Sequence, residues 1–148
     1  LLLERTRGRL DSGFRAIKMK VGRPQLAEDV ERVTSMRELL GPDIPLMVDA
    51  NMRWSVDEAI TAARALDGLG LVWLEEPTSP EDWDGHARIA DEGGLPIAAG
   101  ENLHSVAEFR ELINRGGVSY PEPDAAPMEC PGGGGAAPGE WPPPTPAA

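Results

Sequence analysis

Three acidic side chains recur along the chain at equal intervals of 26 residues. Asp49, Glu75 and Glu101 each close a short apolar run. A period of about 20–50 residues marks a repeated supersecondary unit, and a strand, a helix and two loops would fill this interval. Each carboxylate is therefore predicted to end one of three consecutive parallel strands. Neighbouring strand ends would gather three negative charges at one edge of the sheet, an arrangement that a bound cation stabilises.

The types of the donor atoms indicate which cation this would be. Without His or Cys the cluster offers only oxygen ligands, so Mg²⁺ with water or substrate oxygens completing its octahedron fits best. Glu76 directly follows Glu75, so the two side chains are expected on opposite faces and only one can be a ligand. Asn51 shares the parity of Asp49 and is expected to reach the ion or a bound oxygen; alternatively, it is a turn residue. Any one of the carboxylates alone would more commonly be a structural strand-end residue, and the equal spacing favours the metal site.

Two lysines lie on a strand predicted for residues 14–21. Lys18 and Lys20 alternate with Ile17 and Met19, so both ammonium groups should share the face that carries the carboxylates. A partly desolvated lysine beside a divalent cation has a lowered pKa and can act as a general base near neutral pH. The alternative is a pair of solvated lysines on an exposed edge.

The remaining segments predict a regular alternation of helices and strands. Helices are expected over residues 24–40 and 80–91, and Ser79 should cap the second of these. Two further helices are expected, each beginning with a capping box. The element order βαβαβαβαβ, with a last strand over residues 117–124, means a parallel α/β sheet. The capping boxes are Ser55 with Glu58 and Ser105 with Glu108, and the helix after the second should bury Val106, Phe109, Leu112 and Ile113.

Composition limits the compartment and the partners. The 148 residues carry a net charge of −11, are 41% hydrophobic and include one cysteine. These values predict a globular protein of the cytoplasm, and the acidity argues against nucleic acid or a membrane as partner. The chain lacks an initiating methionine, which predicts that it lies inside a longer protein. Residues 125–148, rich in Pro, Gly and Ala, are predicted to be a disordered tail that follows a domain of residues 1–124.

Five short motifs resemble one known family. They are Lys-Met-Lys at 18–20, Val-Asp-Ala-Asn at 48–51, Trp-Leu-Glu-Glu-Pro at 73–77, Gly-Glu-Asn at 100–102 and Pro-Asp at 123–124. In this order they resemble the enolase superfamily, in its mandelate racemase and muconate lactonizing enzyme branch. The resemblance implies a partial (β/α) TIM-type barrel that comprises roughly strands two to six of eight.

The same resemblance implies a reaction. Lys20 would abstract the proton α to the carboxylate of a small-molecule acid, and Lys18 would add positive charge beside it. Mg²⁺ held by Asp49, Glu75 and Glu101 would stabilise the resulting enediolate. A hydroxy acid or sugar acid is the expected substrate.

The subgroup is indicated by the last motif. Asp124 fits members in which a carboxylate on strand six supports a histidine, or it is an ordinary acidic residue of a proline-rich loop. No lysine follows Lys20, which disfavours relatives with a second lysine, such as dipeptide epimerases and cycloisomerases. The loops around Arg53 and His104 are more similar to acid-sugar dehydratases than to racemases. His104 itself is expected either to contact substrate or to be a surface histidine.

The resemblance leaves much of a barrel without a counterpart. A complete barrel needs about 250 residues, and the family adds a capping domain. The chain is therefore expected to be a truncated and inactive fragment of a dehydratase. Its alternatives are a non-catalytic metal-binding or self-associating fragment, with unpaired sheet edges that favour a homo-oligomer, and a racemase or epimerase of the same superfamily.

Overall fold

The computed structural model describes residues 2–124, so the predictions for residues 125–148 lie outside the described residues. Helices and strands alternate along the described part. They are α1 (Leu2–Asp11), β1 (Ile17–Lys20), α2 (Leu26–Leu40), β2 (Leu46–Asp49), α3 (Val56–Leu66), β3 (Leu71–Glu75), α4 (Trp83–Gly93), β4 (Ile97–Ala99), α5 (Val106–Arg115) and β5 (Tyr120–Pro121). None of these helices is long and apolar enough to span a bilayer.

The five strands form one parallel sheet in the order β1-β2-β3-β4-β5. Every strand thus pairs with the next strand along the chain, as it does in a (β/α) barrel. The register places Lys20 beside Asp49 and Asp49 beside Glu75. The predicted parallel α/β architecture is confirmed, and the sheet aligns the charged residues of three strands in one row.

The core lies between the sheet and its helices. In β1, Ile17 and Met19 are buried while Lys18 and Lys20 are exposed, which confirms the predicted alternation. Helices α3 and α4 pack so closely that a Cβ on Gly93 would lie 2.7 Å from that of Ala63. The side chains with no exposed area include Val33, Met36, Leu46, Val48, Leu66, Leu74, Ile89 and Ile97.

A single guanidinium group ties together two loops at the N-terminal edge of the sheet. From α2, Arg37 donates to the carbonyls of Gly41 and Ile44, both at 2.8 Å, in the loop before β2. It also donates to Leu69 at 2.9 Å and Gly70 at 2.8 Å, in the loop before β3. These bonds satisfy four carbonyls that belong to no strand ladder and fix the approach of β2 and β3.

Several element boundaries differ from the sequence predictions. Helix α1 was not predicted, and the last strand is only two residues long. Helix α4 does not start from Ser79, because Asp82 accepts a hydrogen bond from the Gly85 N–H at 2.9 Å and caps the helix three residues later. Helix α2 begins at Leu26, whereas residue 24 was predicted.

The two predicted capping boxes form to different extents. Around Ser55 both reciprocal hydrogen bonds with Glu58 are present, so this box is confirmed. At α5, Ser105 accepts from the Glu108 N–H, but the Glu108 carboxylate accepts from the N–H of His104. The predicted apolar stripe of α5 is only partly buried. Leu112 is buried and Phe109 half-buried, whereas Val106 and Ile113 are exposed, because no described element covers that side of the helix.

Candidate functional site

The centre of the site is a set of ion pairs at the C-terminal ends of β1, β2 and β3. Lys18 Nζ lies 2.5 Å from Glu75 Oε1 and 3.7 Å from Asp49 Oδ2. Lys20 Nζ lies 2.5 Å from Asp49 Oδ2. The two carboxylates are 1% exposed, whereas the side chains of Lys18 and Lys20 are 41% and 62% exposed. Buried acceptors therefore hold two ammonium groups that remain open to solvent.

The turn after β2 brings Asn51 to the same cluster. Its N–H donates to Asp49 Oδ1 at 2.9 Å, and Lys20 donates to its side-chain oxygen. Asn51 and Met52 have φ values of 49° and 59°, in the left-handed region where Asn is one of the better-tolerated residues. Asn51 thus lies beside Asp49 in a turn, as the alternative interpretation has it, and its contact with an ion or a bound oxygen stays a prediction.

Glu76 is part of the cluster as well, against the simple alternation predicted for it. Its φ of 42° turns the chain away from strand geometry immediately after Glu75. The carboxylate is 1% exposed and accepts from Asn102 Nδ2 at 2.6 Å, while Oε2 has no hydrogen-bond partner among the described residues. Burial raises the pKa of Glu76 to about 7, the hydrogen bond from Asn102 opposes this, and the charges of Glu101 and Asp49 reinforce it.

An aromatic pair lies on the same side of the sheet. Trp73 Nε1 donates to Glu75 Oε2 at 3.2 Å, and the Trp73 ring contacts that of Tyr120 with centroids 5.0 Å apart. Ala98 is paired with Glu75 on one side and with Tyr120 on the other. The methyl group of Ala98 is small enough for side chains of β3 and β5 to meet across β4. The contact with Tyr120 therefore holds Trp73 in the position from which it donates to Glu75.

The loops after β4 and β5 supply a second group of carboxylates. Glu101, Glu122 and Asp124 line a shallow depression of about 300 Å³ together with Lys18 and Glu75. Glu101 and Asp124 are exposed, and Glu122 is half-buried. Glu75, Glu101 and Asp124 thus line one depression together with Glu122, which was not predicted. Glu101 was predicted to end a strand but lies two residues beyond the end of β4.

The charges in this depression act on one another. Burial lowers the pKa of Lys18, but the hydrogen bond to Glu75 and the charges of Glu75, Asp49 and Glu122 outweigh it and raise the pKa above its ordinary value. The charges that raise the pKa of Lys18 are thus all those of neighbouring carboxylates. Burial raises the pKa of Glu122, the charge of Glu75 adds to this, and the charge of Lys18 opposes it.

The donor atoms of the site are of the type that Mg²⁺ binds, but in this structure they are not arranged around one point. Within residues 2–124, no group of three or more His, Cys, Asp or Glu side chains has the arrangement of a ready-made metal site. Asp49 and Glu75 are adjacent, but both bind lysine ammonium groups, and Glu101 remains in the exposed loop. The donors are nevertheless all oxygens, on the adjoining ends of β2 and β3 and in the loop after β4, and oxygen donors are those that Mg²⁺ prefers.

His104 does not join the cluster. It is exposed, its backbone N–H donates to Glu108, and no hydrogen bond in the described part of the chain links its imidazole to the carboxylates. His104 thus lies on the surface, and its contact with a substrate stays a prediction. The sequence could have indicated Glu122 by its parity with Asp124 at the end of the last strand. Glu76, in contrast, depends on a backbone turn that has no strong sequence signal.

Comparison with known proteins agrees with this geometry. The family model described as enolase C-terminal domain-like matches residues 2–130. The chain belongs to the enolase superfamily, in the mandelate racemase and muconate lactonizing enzyme branch. The superfamily resemblance given by the five motifs is thereby confirmed, as is the TIM-barrel character of the sheet.

Three comparisons show how similar the chain is to members of this superfamily and how varied the activities of those members are. A curated relative from Streptomyces coelicolor, 3,6-anhydro-alpha-L-galactonate cycloisomerase, is 58% identical over 117 residues, which are 79% of this chain and 32% of the relative. A racemase structure from the same species with bound magnesium has a TM-score of 0.83 and 54% identity, covering 86% of this chain and 38% of that chain. L-Talarate dehydratase from Polaromonas, complexed with Mg and L-glucarate, has a TM-score of 0.82 and 41% identity, covering 86% and 36%. The chain spans about a third of the length of the curated relatives it matches.

Proposed function

We propose that this chain carries the base and the metal-binding carboxylates of an enzyme that removes the proton α to the carboxylate of a sugar acid with the help of Mg²⁺. The observation that carries the proposal is the row of Lys20, Asp49 and Glu75 across three strand ends, with Lys18 beside it. Relatives crystallised with Mg, one of them with L-glucarate, support the same cofactor and substrate class. With one cysteine in 148 residues, we place the whole protein in the cytoplasm.

Each strand-borne residue has a proposed task. Lys20, the more exposed lysine, takes the α proton, and Asn51 orients Lys20 and contacts the substrate. Lys18 places a positive charge beside the substrate carboxylate. Asp49, Glu75 and Glu101 would hold Mg²⁺, which when bound supplies positive charge to stabilise the negative charge developing on the substrate.

The residues on the loop side complete the proposal. Asp124 lines the depression and would support the second acid/base group of the reaction. His104, on the exposed loop between β4 and α5, would contact the far end of the substrate. Loss of water is the proposed outcome of proton removal, as the loop motifs predict. Intramolecular rearrangement is the competing outcome, because the chain is similar to a cycloisomerase. The absence of a lysine after Lys20 therefore does not by itself distinguish dehydration from rearrangement.

The metal proposal is tested by titrating Mg²⁺ into the chain while its thermal stability is followed. A ligand that binds the folded state raises the melting temperature once its concentration exceeds Kd. We expect this increase in the wild type and its loss in Glu75→Gln/Glu101→Gln. The control is Glu31→Gln/Glu38→Gln, which removes the same charge from the exposed face of α2. An equal increase in both double variants would refute the site.

The chemical proposal is tested by exchange of the α proton of galactarate in D₂O with Mg²⁺, followed by proton NMR. Exchange requires only the base and the cation, so we expect it even from a fragment that does not complete the reaction, and Lys20→Met should lower it by about 10²–10⁴-fold, the usual contribution of a general base. Formation of a keto acid would identify dehydration, and a lactone would identify rearrangement. Exchange that persists in Lys20→Met would assign the base to another residue.

A non-catalytic role is the second candidate, and one observation favours it. Val106 and Ile113 on α5 are 64% and 56% exposed, which leaves an apolar surface on the last described helix. Such a surface favours association with a second copy of the chain. Light scattering of the wild type and of Val106→Ser/Ile113→Ser tests this: a homo-oligomer that dissociates in the variant, without proton exchange by either protein, would support it.

A further inference from the structure

Glu122 is the carboxylate of the site that neither the motifs nor the proposed reaction uses. It follows β5 and lies two residues after Tyr120, so both side chains extend to the face where Tyr120 meets Trp73. Its N–H donates to the carbonyl of Ala99 at 3.0 Å. At Gly100 an added Cβ would lie 3.0 Å from the Glu122 carbonyl oxygen and 3.1 Å from its nitrogen. The glycine thus permits the close approach that holds Glu122 against β4.

Lys18 and the proposed cation require the same two carboxylates, a step that rests on the proposed function. Its ammonium group lies 2.5 Å from Glu75 and 3.7 Å from Asp49, the two buried carboxylates that would hold Mg²⁺. An ammonium group and a divalent cation repel each other, so a cation bound to these oxygens weakens their attraction for Lys18. When Glu75 turns to the cation, Lys18 needs another negative charge in order to stay in the site.

Glu122 is the carboxylate best placed to supply that charge. Glu122 and Lys18 line the same depression, and among residues 2–124 the charges that act on Lys18 are those of Glu75, Asp49 and Glu122. Glu101 lines it too, but is itself a proposed ligand of the cation. We propose that Glu122 is a positioning residue that receives the Lys18 ammonium group when Glu75 binds the cation, and so keeps Lys18 beside the substrate carboxylate.

The first test needs no metal, because Glu75→Gln removes the same partner from Lys18. Lys18 and Lys20 are the only lysines of the chain, so acylation by an amine reagent can be followed at each by mass spectrometry. In the Glu75→Gln background, Glu122→Gln should raise the acylation rate of Lys18 about tenfold, since a tenfold change in free amine corresponds to a change of one in pKa. In the wild-type background the same substitution should change the rate less than about twofold, because Glu75 still holds the ammonium group.

The controls separate this effect from loss of charge or of folding. Glu75→Gln/Glu38→Gln has the same net charge and should leave Lys18 protected, and Lys20 serves as the internal reference. Equal effects of Glu122→Gln in both backgrounds, or none in either, would overturn the proposal. If the Glu75→Gln/Glu122→Gln protein does not fold, saturating Mg²⁺ replaces Glu75→Gln, and Glu122→Gln should expose Lys18 with the metal only.

The second test distinguishes positioning from metal ligation. Calorimetric titration should show that Glu122→Gln weakens Mg²⁺ binding about tenfold in the wild type but less than about threefold in Lys18→Met, because the two residues are coupled. An equal loss in both backgrounds would make Glu122 a ligand and overturn the proposal. A wild-type chain that binds no Mg²⁺ would refute the proposed function, whereas the acylation experiment would still decide the role of Glu122 in the metal-free protein.

Discussion

The two sides of the site are built in different ways. On the strand side, Asp49 and Glu75 are buried, stand in register on adjacent strands and each accept a hydrogen bond from a lysine. On the loop side, Glu101 and Asp124 are exposed and lie beyond the last strand residues. The backbone ladder of the sheet fixes the first pair, whereas the second pair lies in the loops that follow β4 and β5.

This difference shows where the site is already organised for chemistry and where it is adjustable. Strand residues keep their separation because a shift would break the ladder, so the pairing of Lys20 with Asp49 is part of the fold. Loop residues can move at low cost, so Glu101 can approach a cation without disturbing the core. Glu76 connects the sides, since it leaves β3 and accepts from Asn102 in the loop after β4.

The largest expected effect comes from removing the positive charges of the strand side. Lys18→Met/Lys20→Met leaves Asp49 and Glu75 buried without their partners. Loss of one partner of a buried pair costs about 3–5 kcal/mol, and the solvent exposure of these lysines places the expected loss near the lower limit. Urea denaturation at pH 7 measures it.

The matched control for the lysine variant is Arg7→Met/Arg110→Met, which removes two charges from exposed helix positions. It should change the free energy of unfolding by less than about 1 kcal/mol. Equal losses in the two double variants would show that the strand side gains nothing from its ion pairs.

Glu76 should make the metal-free chain less stable as pH rises. Its pKa is raised from 4.5 to about 7 in the folded state, so the folded chain binds the proton more tightly than the unfolded chain. Stability is therefore lost between about pH 4.5 and pH 7, by about 3 kcal/mol in total. In Glu76→Gln with EDTA present, this loss should disappear. Urea titrations at pH 4.5, 6 and 8 measure it, and parallel curves for the two proteins would contradict the prediction.

Gly100→Ala should disrupt the loop side by backbone strain. Gly100 has a φ of 137°, and an added Cβ would lie 2.8 Å from Phe109 Cε1. We expect a loss of about 2 kcal/mol from the strained backbone, measured by thermal unfolding. Gly8→Ala is the control, because nothing lies within 4 Å of its added Cβ and alanine favours a helix by about 0.5–1 kcal/mol. A neutral Gly100→Ala would mean that the loop adapts.

The smallest expected effect is a slight increase in the stability of the metal-free chain. Glu101→Gln removes a charge that raises the pKa values of Glu76 and Glu122 through repulsion. The metal-free chain should become more stable by less than about 1 kcal/mol, since Glu101 is exposed. The same variant should lose the stabilisation by Mg²⁺, as a thermal scan with and without the metal would show. A loss of stability without metal would place Glu101 among the structural residues.

The strand side could be predicted from the sequence because a parallel sheet has simple rules. The 26-residue interval placed Asp49 and Glu75 at corresponding strand ends, and alternation in β1 placed Lys18 and Lys20 on one face. These relations depend only on strand period and register, which apolar patterning reveals.

The rest depended on contacts that the pattern does not contain. Glu76 joins the cluster through a left-handed backbone angle, and Glu122 through the absence of a side chain at Gly100. Helix α1 has no strong apolar stripe, and tertiary packing of Leu3 and Leu10 on the core stabilises it. Which role each acidic residue performs is still a prediction from the family motifs.

The site depends on the contacts of Arg37, which lie at the opposite edge of the sheet. A shift of β2 by one residue relative to its neighbours would turn the Asp49 side chain from the lysines to the helices. The hydrogen bonds of Arg37 to the loops before β2 and β3 oppose such a shift from the far end of both strands. The position of Asp49 therefore depends on an arginine at the far end of the strands, and a substitution of Arg37 could displace the site without changing any of its residues.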